Sequence, residues 1–284
     1  MGKRHGERPE ATAPPEVFYD RAESRKYTGS SRVMDIQTRL TERALELLAL
    51  PADGTPRLLL DLGCGSGLSG EAITEAGHTW VGFDISPAML EVAQEREVNG
   101  DLCHHDLGDG LGLRPGAFDG AVSISAVQWL CNADRSSHNP RRRLKRFFES
   151  LYRCLARGAR AVLQIYPETP QQAELITTCA MKAGFAGGLV VDYPNSTRAK
   201  KYYLVLMVGT AAYLPAPKLG AEGEAAEEVA VFDRKKSRKR GRDGGGKGGK
   251  DWILKKKEQR RLKGFSNVPQ DTKYTGRKRS KARF

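Results

Sequence analysis

The stretch Leu58-Leu59-Leu60-Asp61-Leu62-Gly63-Cys64-Gly65-Ser66-Gly67 decides how the rest of the chain is read. An apolar run too short for a helix ends in glycines at alternate positions, the pattern of a buried strand opening into a loop. Glycine lets the backbone turn through conformations closed to other residues, and it lets a ligand approach the main chain at the carboxyl edge of a sheet. Asp84 ends the next apolar segment, 21 residues after Gly63 (84 − 63). A carboxylate at that distance can accept both hydroxyls of a ribose.

Strand and helix signals alternate on both sides of this loop. Ser30-Ser31 caps a helix running to about Leu50, with an apolar stripe of Val33, Ile36, Leu40, Leu47 and Leu48. After the loop come a short helix ending at Gly77, a strand over 78–85, and a helix with Ser86 as cap and Pro87 in its first turn. Strands are expected over 101–106 and 118–125, then a helix from Pro140 to near Gly158 and a strand over 161–165. A helix over 170–183 stops at Gly184, and strands at 190–191 and 202–208 close the pattern. Gly77, Gly158 and Gly184 read as helix stops. With the first strand at 57–62 the total is seven, which predicts an α/β fold. Its sheet is Rossmann-like and mostly parallel, with helices on both faces.

The charge is unevenly placed. The 284 residues carry 47 Lys and Arg against 34 Asp and Glu, a net of +13. Residues 234–284 hold 21 of the basic and 4 of the acidic groups, leaving 26 and 30 for residues 1–233, so net charges of +17 and −4. A slightly acidic body therefore carries a cationic tail, which points to a polyanionic partner. The expected organisation is an arm over 1–32 able to act as a cofactor or substrate lid, a domain over 33–214, an acidic Pro/Gly linker over 215–233 and a basic tail over 234–284. The tail composition predicts disorder, with a nuclear import signal at 234–242. Residues 251–263 can become a helix on a partner. No run of about 18 apolar residues exists, so no membrane span is expected. The amino terminus lacks the apolar core of a signal peptide. Five dispersed cysteines argue against a disulfide framework or zinc cluster and for a reducing compartment.

Two nucleoside cofactors fit a glycine loop followed by Asp84: NAD and S-adenosylmethionine (AdoMet). Gly65-x-Gly67-x-x-Gly70 satisfies the dinucleotide fingerprint literally, so spacing leaves both open. Context favours one. Asp61, two residues before the first glycine, would repel a pyrophosphate but suits a cofactor carrying an ammonium and a sulfonium. The block resembles the class I AdoMet-dependent methyltransferase motif, with Asp61, Gly63, Gly65 and Gly67 at its fixed points. That resemblance implies cofactor contacts from these four residues and from Asp84 and Ile85, with Asp106 and Leu107 holding the adenine. It also makes 119–120 the start of the strand leading to the active-site edge.

The fourth strand runs into the sequence SISAVQWLCNA (123–133). No Asn/Asp-Pro-Pro-aromatic tetrapeptide appears for methylation of an exocyclic amine. Cys131 lacks a preceding proline and a base, so it reads as a small buried hydrophobe. Trp129 can stack a base or fill the core. Such poverty of catalytic groups is compatible with a purine N7 acceptor, whose lone pair needs no deprotonation and only has to be aligned. No general acid or base is then expected, and Gln128, Trp129 and Asn132 are the candidates for positioning the substrate.

Residues 123–133 resemble the eukaryotic small-subunit rRNA guanine-N7 methyltransferases of ribosome biogenesis. So do segments 15–19, 25–28, 34–37 and 190–196, and in the tail 252–259 and 271–279; the likeness departs over 216–250. It implies methylation of one guanosine of 18S rRNA in a pre-ribosomal small subunit, in nucleus and nucleolus with the cytoplasm as a further location. It also implies a small zinc-binding activator protein shared by several methyltransferases. If the strands are ordered 3-2-1-4-5, strand 101–106, from Asp101 to Asp106 with Cys103 within it, lies at the edge and is open to strand addition by that partner. The alternatives are an assembly factor acting mainly by docking on the particle, and a methyltransferase of another RNA.

Overall fold

The apolar run before the glycines forms β1 (Leu58–Leu62), near the centre of a seven-stranded sheet. The computed structural model describes residues 8–196 and 199–209, together with Lys218, Leu254, Lys257, Gln270 and Asp271. β1 pairs in parallel with β2 (Thr79–Asp84) on one side and β4 (Phe118–Ile124) on the other. β3 (Asp101–His104) continues past β2, and β5 (Leu155–Ile165) past β4, both in parallel. β7 (Lys201–Met207) then inserts antiparallel between β5 and β6 (Ala186–Asp192), giving the order β3-β2-β1-β4-β5-β7-β6. The order reverses between β1 and β4, and a crevice opens at the carboxyl ends of the strands there.

Alternation along the strands divides the core in two. Leu60, Leu62, Ala121 and Leu163 face α7 (Pro140–Cys154) and α8 (Pro170–Lys182), packing with Leu144, Phe147, Phe148 and Ile176. Leu59, Val122 and Val162 face the other way, toward Ala44 and Leu47 of α4 (Ser31–Leu48), Ile73 of α5 (Leu68–Glu75) and Leu90 of α6 (Pro87–Glu95). Each fully buried Leu, Ile or Phe of this kind stabilises by roughly 1.5–3 kcal/mol. The expected caps form: Ser30 Oγ accepts from Val33 N, and Ser86 Oγ from Met89 N, with Pro87 in the first turn of α6. No helix among the described residues is long and apolar enough to cross a membrane.

Several boundaries differ from the sequence reading, and β6 begins at Ala186, four residues before the expected 190. β3 ends at His104, and Asp106 caps a 3₁₀ turn (Leu107–Asp109) by accepting from Gly108 N at 2.8 Å. β4 ends at Ile124, because Ser125 has φ 54. α7 stops at Cys154, and Leu155 already pairs with Phe118, so Gly158 lies inside β5 instead of stopping a helix. The register runs from Phe118↔Leu155 to Gly120↔Arg160, leaving extra residues on β5, and Gly158 at φ 83 lets the backbone absorb them.

The weakly periodic amino-terminal segment folds into α1 (Pro9–Thr12), α2 (Pro15–Phe18) and α3 (Arg21–Thr28). Arg21 and Arg25 reach Glu91 and Glu95 of α6 at 3.0 and 2.6 Å. Arg8 donates to the carbonyls of Tyr166 and Pro167 beyond β5. The chain divides into two units after Arg234. In the second, Leu254 and Lys257 are helical and Lys257 Nζ lies 3.0 Å from Asp271 Oδ1. The linker apart from Lys218, the import signal at 234–242 and nearly all of the tail lie outside the described residues.

Candidate active site

Gly63 leaves β1 with φ +81, and its N–H donates to Phe83 O at 2.7 Å. A Cβ on Gly63 would lie 2.2 Å from Ala126 Cβ, so this turn admits no side chain. Gly65, at φ +53, is different: a Cβ there would find only Met89 Sδ, at 4.0 Å, across open space. The loop therefore presents bare backbone to a cavity. Counted together with the open solvent of its mouth, the space measures about 1030 Å³.

The second acid is held by the loop itself. Asp84 Oδ2 accepts from Gly65 N and Oδ1 from Ser86 N, each at 2.8 Å. Burial pushes this carboxyl up, while those two N–H donors pull it down. Asp84 and Ile85 line the cavity floor, and Asp106 and Leu107 line its wall. Arg143 grips Asp106 through Nη2, 2.6 and 2.8 Å from the two carboxylate oxygens, and lines the cavity with His138.

Asp61 sits behind the loop and is fully buried. Its Oδ2 accepts from Ser69 Oγ at 2.6 Å, while Oδ1 has no hydrogen-bond partner. Burial, with Asp84 adding like charge, pushes the carboxyl up to about 7. A buried acceptor without a donor is expensive unless a ligand completes it, and Ser69, which holds its other oxygen, lines the cavity. An orphaned acid, a bare glycine cradle and Asp84 with ribose-facing capacity together fit a cationic amino-acid nucleoside.

Trp129 lines the cavity, and an aromatic cluster from the arm packs against it: Phe18 and Tyr19 stand 6.2 and 6.0 Å from its ring. Tyr27 packs edge-on to Tyr19 at 5.8 Å and also lines the site. Gln128 and Asn132 point elsewhere. Gln128 Nε2 donates to Glu10 Oε1 and to Ser125 O, and Asn132 Nδ2 donates to Glu10 O. These two amides secure the arm and do not line the cavity, because the 3₁₀ turn (Val127–Cys131) turns them toward α1. Cys131 is also outside the cavity, and burial raises its thiol to about 12, so it stays protonated at neutral pH.

Arg143, Tyr19 and Tyr27 also line the site, although no sequence motif marks them. A trace of the first was present: three arginines in the first turn of a helix sit against its dipole, a sign that a carboxylate is near.

A sheet whose order reverses at a glycine loop, with an antiparallel β7 between β5 and β6, an acid ending β2 and another after β3, defines a class I AdoMet-dependent methyltransferase. The description "Methyltransferase domain" matches residues 60–163, and "Methyltransferase involved in Williams-Beuren syndrome" matches residues 206–281. An Arabidopsis thaliana protein named 18S rRNA (guanine-N(7))-methyltransferase is 60% identical over 96% of this chain and 98% of its own. The Mus musculus protein of the same name is 56% identical over 98% of both chains. The Saccharomyces cerevisiae 18S rRNA (guanine(1575)-N(7))-methyltransferase is 49% identical over 96% of this chain and 98% of its own. The chain belongs to the 18S rRNA (guanine-N7)-methyltransferase family. Its fold is also that of the magnesium protoporphyrin IX methyltransferase of Synechocystis PCC 6803 with bound SAM, at TM-score 0.52 and 16% identity, over 73% of this chain and 100% of that one.

Proposed function

We propose that this chain transfers the methyl group of AdoMet to N7 of a guanosine in 18S rRNA during small-subunit biogenesis. The observation that carries the reading is identity of 48–60% to rRNA guanine-N7 methyltransferases over nearly the whole chain, tail included. AdoMet when bound supplies an electrophilic methyl group on a sulfonium, and the chain's residues bind and orient. The backbone of Gly63, Gly65 and Gly67 and the acid of Asp61 hold the amino-acid end, Gly67 from behind the lining. Asp84 with Ile85 takes the ribose, and Asp106 with Leu107 the adenine. Trp129 stacks the acceptor base, while Gln128 and Asn132 hold the arm, through Glu10, as a lid over it. N7 loses no proton when it is alkylated, so alignment and water exclusion are what the site has to provide. The test is mass spectrometry of nucleosides from 18S rRNA of cells with the wild-type chain and with a cofactor-dead variant. Undiminished N7-methylguanosine in the variant overturns the reading. Growth of the same cells without the modification would favour the assembly-factor alternative.

The basic tail binds RNA phosphates and directs the chain to nucleus and nucleolus. Residues 234–240 include six Lys or Arg. Replacing them with Gln in the full chain should make the log–log salt dependence of RNA binding shallower by roughly 4, at about 0.7 per phosphate on a single strand. An unchanged slope would remove the tail from RNA binding. A small zinc-binding activator adds a strand beside β3, which ends the sheet and exposes Asp101 and His104. Without that partner the chain should aggregate or be proteolysed; a monodisperse, protease-resistant chain expressed alone would count against the dependence.

A further inference from the structure

α7 carries cations where helix physics disfavours them. Its first turn reads Pro140-Arg141-Arg142-Arg143, at the end of the helix that already bears partial positive charge. Arg143 has a local reason, being 8% exposed and paired with Asp106 in the cavity wall. Arg141 and Arg142 have no such reason. Both are exposed, and among the described residues neither forms an ion pair. One turn further along the same face, Lys145 and Arg146 are 69% and 66% exposed. Among the described residues they pair with loosely placed acids, Glu149 at 3.6 Å and Asp109 at 3.9 Å, and surface pairs of this kind hold little.

General composition does not account for the patch, since residues 1–233 have 26 basic and 30 acidic groups. Its position does. His138 and Arg143, on either side of the first turn, line the cavity. The cationic face thus begins at the lip of the site and runs outward along the helix. The acids near that lip are Asp106, held by Arg143 at 2.6 Å, Glu16, paired with Arg135 at 2.9 Å, and Asp134, which lines the cavity.

We infer that the first two turns of α7, through Arg141, Arg142, Lys145 and Arg146, hold the sugar-phosphate backbone of the RNA beside the acceptor guanosine. The inference rests on the rRNA reading above and assigns it a delivery surface. Phosphate contacts fix register and orientation without reading sequence, so a backbone held at the lip leaves one base free to enter the cavity. The dipole penalty at Arg141 and Arg142 is then retained because function uses the charge.

The test is the full chain carrying Arg141→Gln and Arg142→Gln. Binding to a short, labelled single-stranded RNA with one guanosine is followed by fluorescence anisotropy across a salt series. The log–log slope should become shallower by about 1.4, two phosphates at about 0.7 each. AdoMet binding by calorimetry should be unchanged, and the melting temperature unchanged or higher, since cations leave the positive end of the helix. Arg153→Gln, about 18 Å further along the same helix, should leave the slope as it was. A wild-type slope in the double variant, or an equal loss in Arg153→Gln, overturns the inference. So does a wild-type slope accompanied by loss of the chain from pre-ribosomal particles, which would make the face a protein surface. Failure of the methyltransferase reading is distinct: the unsubstituted chain would form no N7-methylguanosine, whatever the slopes.

Discussion

Asp84→Ala should leave the chain folded and weaken AdoMet binding roughly 10²–10⁴-fold in a calorimetric titration. The magnitude follows from two ribose hydroxyls donating to one carboxylate. Hydrogen bonds to a charged group contribute about 1.5–3 kcal/mol each, and about 1.4 kcal/mol is tenfold in affinity. The loss has a second component. Asp84 also accepts from Gly65 N and Ser86 N, so it fixes the loop in the shape that the cofactor meets. Gly65 lines the open cavity, where water can replace the carboxylate as acceptor, while the Ser86 N–H is buried and left unpaired at a cost of about 1–3 kcal/mol, so stability should fall by less than the affinity does. Asp84→Asn discriminates further. An amide keeps the size but must turn a donor toward Gly65 N, Ser86 N or the ribose, so it should bind no better than about tenfold above the alanine variant. Near-wild-type affinity in either variant would remove Asp84 from the cofactor site.

What could be read beforehand was local. β1, the glycine loop, Asp84 and the Ser86-Pro87 cap are each set within about twenty residues, so periodicity and spacing suffice to find them. Antiparallel insertion of β7 is not local, and the sequence reading found the two final strands without their direction. The end of α7 is not legible locally, because it is decided by pairing of Leu155 with Phe118 on a separate strand. Their place after β4 suggests Gln128 and Asn132 for the substrate, yet their partner Glu10 is more than a hundred residues earlier. Trp129, between them, faces the cavity. Neighbours on a 3₁₀ turn point in different directions, and the turn itself carried no periodic signal. Asp61 was identified by charge, but its chemistry comes from complete burial, which a sequence does not display.

That burial gives Asp61 the other large effect. Its carboxyl is pushed from the ordinary 3.8 up to about 7, chiefly by desolvation. Between about pH 4 and 7 the folded chain therefore keeps a proton that the unfolded chain has released. By linkage, the ligand-free fold loses stability as pH rises through that window, and the penalty is complete above it. A cationic ligand favours the ionised carboxylate, so binding expels the proton. AdoMet affinity should accordingly rise with pH toward about 7, by at most about tenfold per unit for one proton, and then level off. Asp61→Asn should flatten both curves: affinity and denaturant midpoints would change less across this window, the remainder coming from Asp84, whose buried carboxyl is also pushed up. Ser69→Ala separates the charge from its hydrogen bond. The Ser69 hydroxyl lowers the Asp61 carboxyl, so its removal should shift the affinity plateau to higher pH without abolishing it. Identical profiles for wild type and Asp61→Asn would mean that the buried acid does not meet the cofactor's charge, and the cradle would have to select its ligand by shape alone.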